Sequence, residues 1–193
     1  MNEAISIFNE KLEQKSAKEY PDRKVVCGDG NINSKVMLIG EAPGGDEEAQ
    51  GKPFVGKAGR NLMSFLADAG LNRDDVYITN VVKIRPVRIS EKTGKPVNRP
   101  PSKDEKEFFS SLLYEEIDII NPKYIVTLGN VPLQAVVKDS KALIGDYHGK
   151  EIFLGDKIIF PLYHPAAIIY NRSLESVYEG DIKRLFDCLY KGE

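Results

Sequence analysis

Four carboxylates crowd one short stretch of this chain: Glu41, Asp46, Glu47 and Glu48. They lie within residues 40–59, G-E-A-P-G-G-D-E-E-A-Q-G-K-P-F-V-G-K-A-G, together with six glycines, two prolines and one aromatic, Phe54. An acid in such a loop can position a water or stabilise a developing cation. Glycines bring backbone N–H groups close to a ligand, and a ring offers a stacking face. This combination suits a flat, neutral, hydrogen-bonding ligand such as a nucleobase. A nucleotide-phosphate cradle fits poorly, because neither G-x-x-x-x-G-K-[ST] nor G-x-G-x-x-G is present and the carboxylates would repel phosphate. Two more polar residues stand at the ends of apolar runs. Asn80 interrupts V-Y-I-T-N-V-V at 76–82; its amide either bonds its own loop or offers a donor and an acceptor to a base edge. His164 follows I-I-F-P-L-Y at 158–163 and precedes Pro165. His148 has no such setting and reads as structural.

The elements that must position these residues alternate. Ile5, Phe8 and Leu12 recur at helical spacing, so residues 3–17 read as an amphipathic helix, and the polar residues 18–34 as a loop. Residues 35–39 make a first buried strand. Leu62, Phe65, Leu66 and Ala69 mark a helix that Gly70 caps. Residues 76–82 give a second strand, 124–129 a third and 158–163 a fourth. Between them, Ser102 and Glu105 form a capping box that opens a helix ending before Pro122, and a shorter helix spans 131–137. Ser173 is expected to cap a last helix. Strands alternating with helices imply an α/β fold, a three-layer αβα sandwich around a central four-stranded, mainly parallel sheet. In such sheets ligands bind outside the carboxyl ends of the strands, which is where Glu41, Asn80 and His164 fall.

The 193 residues, 41% hydrophobic and 29% charged, fit a single domain over 1–193 with a full core. Cys27 and Cys188 are too few for a disulfide framework or a zinc site, and a reduced, cytoplasmic setting is expected. No run is long and apolar enough to span a membrane, and M-N-E-A at the start has no signal-peptide character. A net charge of −2 argues against coating nucleic acid through charge alone. One stretch departs from that balance: residues 83–101 carry Lys83, Arg85, Arg88, Lys92, Lys95 and Arg99 against Glu91 alone. This polar connection is either a solvated face or a hold on a phosphate backbone.

The motifs G-E-A-P-G at 40–44, G-K-P-F-V-G-K-A-G at 51–59, T-N-V-V-K at 79–83 followed by Arg85-Pro86, L-G at 128–129 and H-P-A at 164–166 resemble those of the family 4 uracil-DNA glycosylases. The resemblance runs from about Val26 to the C-terminus. It implies that Glu41 positions the attacking water or steadies the sugar cation, with Asp46 and Glu47 as candidates to share that role. It implies that Phe54 stacks on the flipped-out uracil, beside Gly40 and Ala42, that Asn80 reads the pyrimidine edge, and that His164 donates to uracil O2. Residues 167–173 would enter the minor groove, with Asn171 and Arg172 joining Lys83, Arg85 and Arg88 as DNA contacts. The expected partner is uracil-containing DNA, met by a monomer, with no membrane.

The sequence also departs from that family, whose typical members hold a four-iron four-sulfur cluster on four cysteines. Residues 18–24 hold no cysteine pair, and Ile84 stands where a ligand cysteine would be. Two cysteines cannot supply four thiolates, so no cluster and no other cofactor or metal is expected. Packing of the first helix through Ile5, Phe8 and Leu12 is the expected substitute. Two alternatives stay open at this stage: a non-catalytic module that binds uracil or a damaged base, and a glycosylase for another deaminated base. A covalent trap on residues 83–101 lacks a histidine to serve as nucleophile.

Overall fold

A computed structural model describes residues 3–68 and 70–190. Met1, Asn2 and the expected helical position Ala69 lie outside the described residues. Helix α1 (Glu3–Glu19) precedes a two-residue strand β1 (Asp29–Gly30) and strand β2 (Val36–Gly40). Short α2 (Gly45–Gln50) and α3 (Lys57–Asp68) lead to β3 (Tyr77–Asn80), then to β4 (Val87–Ile89) and β5 (Pro96–Asn98). Next come α4 (Lys103–Ile120), β6 (Tyr124–Leu128), α5 (Asn130–Val137), α6 (Ile144–Tyr147), β7 (Ile152–Leu154) and β8 (Lys157–Leu162). The described chain closes with α7 (Pro165–Tyr170), a 3₁₀ turn at Arg172–Leu174 and α8 (Glu175–Tyr190).

The main sheet has the order β1-β3-β2-β6-β8-β7. Its four central strands are parallel, as the alternation of elements predicts. It is wider than expected because β1 and β7 add antiparallel edges. Neither edge strand carries a legible pattern: β1 is Asp-Gly, and β7 is three residues joined to β8 by a tight hairpin in which Gly155 takes φ +61°.

Side chains alternate across the sheet and feed two cores. Met37, Ile39 and Ile125 face a core closed by α1, α4 and α5. Val36, Leu38, Val126 and Leu128 face a second core closed by α3, α7 and α8. The period of two along each strand thus builds the three-layer sandwich. Helix α1 buries Ile5, Phe8 and Leu12 as expected. Helix α4 opens with the capping box: the Glu105 N–H donates to Ser102 Oγ at 3.1 Å, and the Ser102 N–H donates to Glu105 Oε2 at 2.7 Å. Gly70, at φ +77°, turns the chain after α3.

Two local expectations are corrected. Residues 83–101 are not an open connection, because β4 and β5 pair as an antiparallel hairpin. Its turn is closed by Ser90 N–H to Lys95 O at 2.9 Å, with Gly94 at φ +64°. Ser173, expected to cap the last helix, lies instead inside the 3₁₀ turn before α8; Asn171 caps that turn, its Oδ1 accepting from the Ser173 N–H at 3.1 Å and from its hydroxyl at 2.7 Å.

Candidate active site

Strands β2 and β3 end side by side, with Gly40 paired to Asn80. The ladder runs one step further, since the Val82 N–H donates to Glu41 O at 3.0 Å. Glu41 and Asn80 are therefore fixed to one rim by backbone pairing. Gly40 is required there: a Cβ would lie 2.5 Å from Phe54 Cζ and would collide with the Asn80 amide oxygen. The missing side chain lets a ring and an amide converge. Phe54 itself takes φ +54°, a left-handed conformation rare outside glycine. Gly59 permits this, because a Cβ there would sit 2.6 Å from Phe54 Cα. Backbone strain of this kind gathers where geometry serves a function.

The loop between β2 and α3 is stapled by one of its own acids. Glu47 Oε2 accepts from the Gly44 N–H at 3.1 Å and Oε1 from the Gly56 N–H at 2.8 Å. Each of its two oxygens accepts one backbone bond, so Glu47 holds the loop in shape, and it also lines the cavity. Asp46, on the first turn of α2, stays exposed at the cavity wall. Among the described residues no side chain hydrogen-bonds the Glu41 carboxylate. Burial pushes its pKa above the usual carboxylate range, and the Lys106 ammonium works against that rise.

His164 caps α7 through its ring. Nδ1 accepts from the Ala166 N–H at 3.1 Å, which leaves the proton of the neutral imidazole on Nε2. Burial holds the ring pKa below its ordinary value, opposed by the Glu47 charge. His164 is thus a neutral donor with a fixed tautomer. Its ring centroid lies 6.5 Å from that of Phe54.

Glu41, Ala42, Asp46, Phe54, Asn80 and His164 all line one cavity of about 650 Å³, a size suited to a small ligand. The structure thus brings an acid and a ring from the β2–α3 loop, an amide from the end of β3 and an imidazole after β8 to one place. It adds residues the sequence did not single out for the cavity: Asn98 and Arg99 from the hairpin, and Ile169 and Tyr170 from α7. Arg99 was visible only as one more cation of the basic run. In the fold it forks onto Glu105 with two contacts of 2.7 Å.

The residues expected to touch DNA fare unevenly. Lys83 is corrected outright: it is 0% exposed and is bonded to Thr79 and Glu116 inside the first core, so it cannot meet a phosphate. Arg85 is spent on Asn98 at 2.7 Å and Glu48 at 3.1 Å, clamping the hairpin to α2. Arg88 and Arg172 are exposed, and Asn171 is occupied as a cap. The exposed aromatic at the cavity lip is Tyr170, at 90% exposure.

A family model described as the uracil DNA glycosylase superfamily matches residues 27–184. The chain belongs to the uracil-DNA glycosylase superfamily. Among curated members, a type-4 uracil-DNA glycosylase of Thermotoga maritima is 41% identical over 152 residues, covering 78% of this chain and 74% of that protein. A type-4 uracil-DNA glycosylase of Sulfurisphaera tokodaii is 38% identical over 199 residues, covering 96% and 84%. A third type-4 uracil-DNA glycosylase, of Archaeoglobus fulgidus, is 39% identical over 167 residues, covering 83% and 79%.

This superfamily member does not fit the iron–sulfur cluster that its resemblance to family 4 implies. Four thiolates are needed, and the chain has two cysteines. Cys27 packs against the first core and Cys188 is buried in the second, on the other face of the sheet. Burial pushes the Cys27 thiol up to about 11. Among the described residues no three His, Cys, Asp or Glu side chains gather to hold a metal. The N-terminal segment is tied down otherwise. Ile84 is buried among Ile5, Phe8 and Leu12. Val25 bridges Ile84, and the Val26 N–H donates to Lys83 O at 2.7 Å. Tyr20 packs on Phe108 and Phe109, with centroids 5.3 and 5.9 Å away.

Proposed function

We propose that this protein is a DNA repair enzyme that removes uracil from DNA by hydrolysing its N-glycosidic bond, leaving an abasic site. The observation that carries this reading is the convergence of Glu41, Phe54, Asn80 and His164 on one cavity. The target nucleotide leaves the stack at a cost of a few kcal/mol, and the extruded pyrimidine lies on the Phe54 ring with its edge toward the Asn80 amide. As the bond from N1 to C1′ breaks, the base takes the electron pair and negative charge grows on its oxygen. The Nε2–H of neutral His164 donates to that oxygen, an interaction that strengthens only as charge develops. Because the proton stays on a neutral ring, the base leaves as an anion held by a hydrogen bond. Glu41, with Asp46 nearby, orients a water toward C1′ and offsets the positive charge on the sugar; the water adds its oxygen to C1′, and its proton passes to the Glu41 carboxylate and from there to solvent.

The test uses a uracil-containing oligonucleotide, alkali treatment and a count of strand breaks, beside hypoxanthine and xanthine oligonucleotides. The wild type should cut at uracil. His164→Ala should slow release by ~10²–10³, the usual effect of deleting one such donor, and Glu41→Ala should also slow it, with both variants folded. Binding without breaks in the wild type would reject catalysis. Wild-type rates in both variants would reject the residue roles.

A further inference from the structure

Three of the six cations in residues 83–101 are consumed by ion pairs: Lys83 with Glu116, Arg85 with Glu48 and Arg99 with Glu105. The rim of the cavity carries Glu41, Asp46 and Glu47, which would repel a phosphate backbone. The chain as a whole is weakly acidic, at net −2, so attraction for a polyanion must come from a local patch. A second cleft, of about 480 Å³, adjoins this rim through Val81, the residue after Asn80, and lies between the start of α4 and α5. Lys103, Lys106 and Lys138 line it, together with Ser110 and one carboxylate, Glu107. Glu107 answers Lys103 across 3.4 Å with both side chains largely in solvent, at 83% and 65% exposure, a pair that offers little resistance to exchange for a phosphate. Lys138 Nζ stands 4.5 Å over the Tyr114 ring, which holds that ammonium at the cleft.

We propose that the cleft of Lys103, Lys106 and Lys138 is the binding site for the phosphodiester backbone beside the extruded nucleotide. This rests on the reading of DNA as substrate and moves the phosphate hold from the hairpin to α4 and α5. Phosphate contacts fix register without reading sequence, which is what a base-extruding enzyme needs next to its cavity. Each phosphate neutralised by a lysine releases counterions and steepens the dependence of log K on log salt by about 0.9.

The experiment measures binding of a uracil-free duplex by fluorescence anisotropy across a salt series, with uracil release from the matching uracil duplex followed in parallel. Lys103→Gln with Lys138→Gln should lower the slope by about two and raise the duplex concentration needed for half-maximal uracil release. Lys103→Arg with Lys138→Arg should keep the slope. A doubly neutralised protein with the wild-type slope and an unaltered melting curve would overturn the proposal. So would an equal loss of slope from Lys92→Gln with Lys95→Gln on the hairpin turn. A wild type that binds duplex but releases no uracil would instead remove the proposed function, while the slope would still decide the cleft.

Discussion

Replacing Lys83 by methionine tests the correction that departs furthest from the linear pattern. In the first core, Glu116 Oε1 accepts from the Tyr77 hydroxyl at 2.9 Å, and Oε2 accepts from the Thr79 hydroxyl at 3.1 Å and from the Lys83 ammonium. Lys83 and Glu116 are each 0% exposed. The methionine fills similar volume but leaves a carboxylate, 0% exposed, with two hydroxyl donors and no counter-charge. Breaking a buried pair from one side costs about 3–5 kcal/mol. At ~2–4 °C per kcal/mol for a chain of this size, the melting temperature should drop by roughly 6–20 °C. Urea unfolding followed by circular dichroism at pH 7 gives the free energy directly. Lys83→Met combined with Glu116→Gln should recover much of the loss, because the buried charge is gone and an acceptor for Tyr77 remains. The reasoning is refuted if the single variant loses only the ~0–1 kcal/mol typical of an exposed pair, or if the double variant is as unstable as the sum of its singles. The network also adjoins the N-terminal segment, since a Cβ on Gly28 would lie 2.5 Å from Glu116 Oε1. Lys83→Met should therefore also open residues 20–28 to protease.

Glu41 must be ionised and His164 neutral for the proposed chemistry, so both must be deprotonated and the rate should fall as pH falls. Burial raises the Glu41 pKa and lowers that of His164, which draws the two groups together on the acid limb of a single-turnover pH profile. Lys106→Met removes the charge that restrains the Glu41 rise and should move that limb to higher pH; a limb that stays put or moves down refutes the assignment. Glu47→Gln exchanges one acceptor oxygen for a donor facing a backbone N–H, and should cost ~1.5–3 kcal/mol in urea unfolding, whereas Asp46→Asn should cost almost nothing. Tyr170→Ala should slow uracil release from duplex DNA and spare single-stranded DNA, since an exposed ring at the cavity lip can fill the vacated stack only where a stack exists; equal slowing on both substrates would exclude that role.

Where the sequence is regular, it was sufficient for the fold. The four central strands are apolar on both faces, and the helices between them carry stripes such as Leu62 with Leu66 or Phe109 with Leu112 and Leu113. Burial on each side fixes those assignments before any contact is known. Strands β1 and β7 were not legible, because a two- or three-residue edge takes its identity from the neighbour that pairs with it. The β4–β5 hairpin was hidden in the same way, its apolar residues Val87, Ile89 and Val97 diluted by cations and prolines.

The candidate site divides along similar lines. Local sequence set which chemistries were available: a glycine-built acidic loop, a ring, an amide at one strand end and an imidazole at another. It also set their location, because residues at the carboxyl ends of parallel strands share one rim. Tertiary structure alone decided what each charged group is free to do. Lys83 reads as a phosphate contact until Glu116 claims it, and Glu47 reads as one more acid until the backbone of Gly44 and Gly56 makes it the staple of its loop. The reason is physical: periodicity records which side chains leave water, but an ion pair or hydrogen bond joins residues whose separation in sequence carries no signal. Only the folded chain shows which charges are already neutralised and which remain for a ligand.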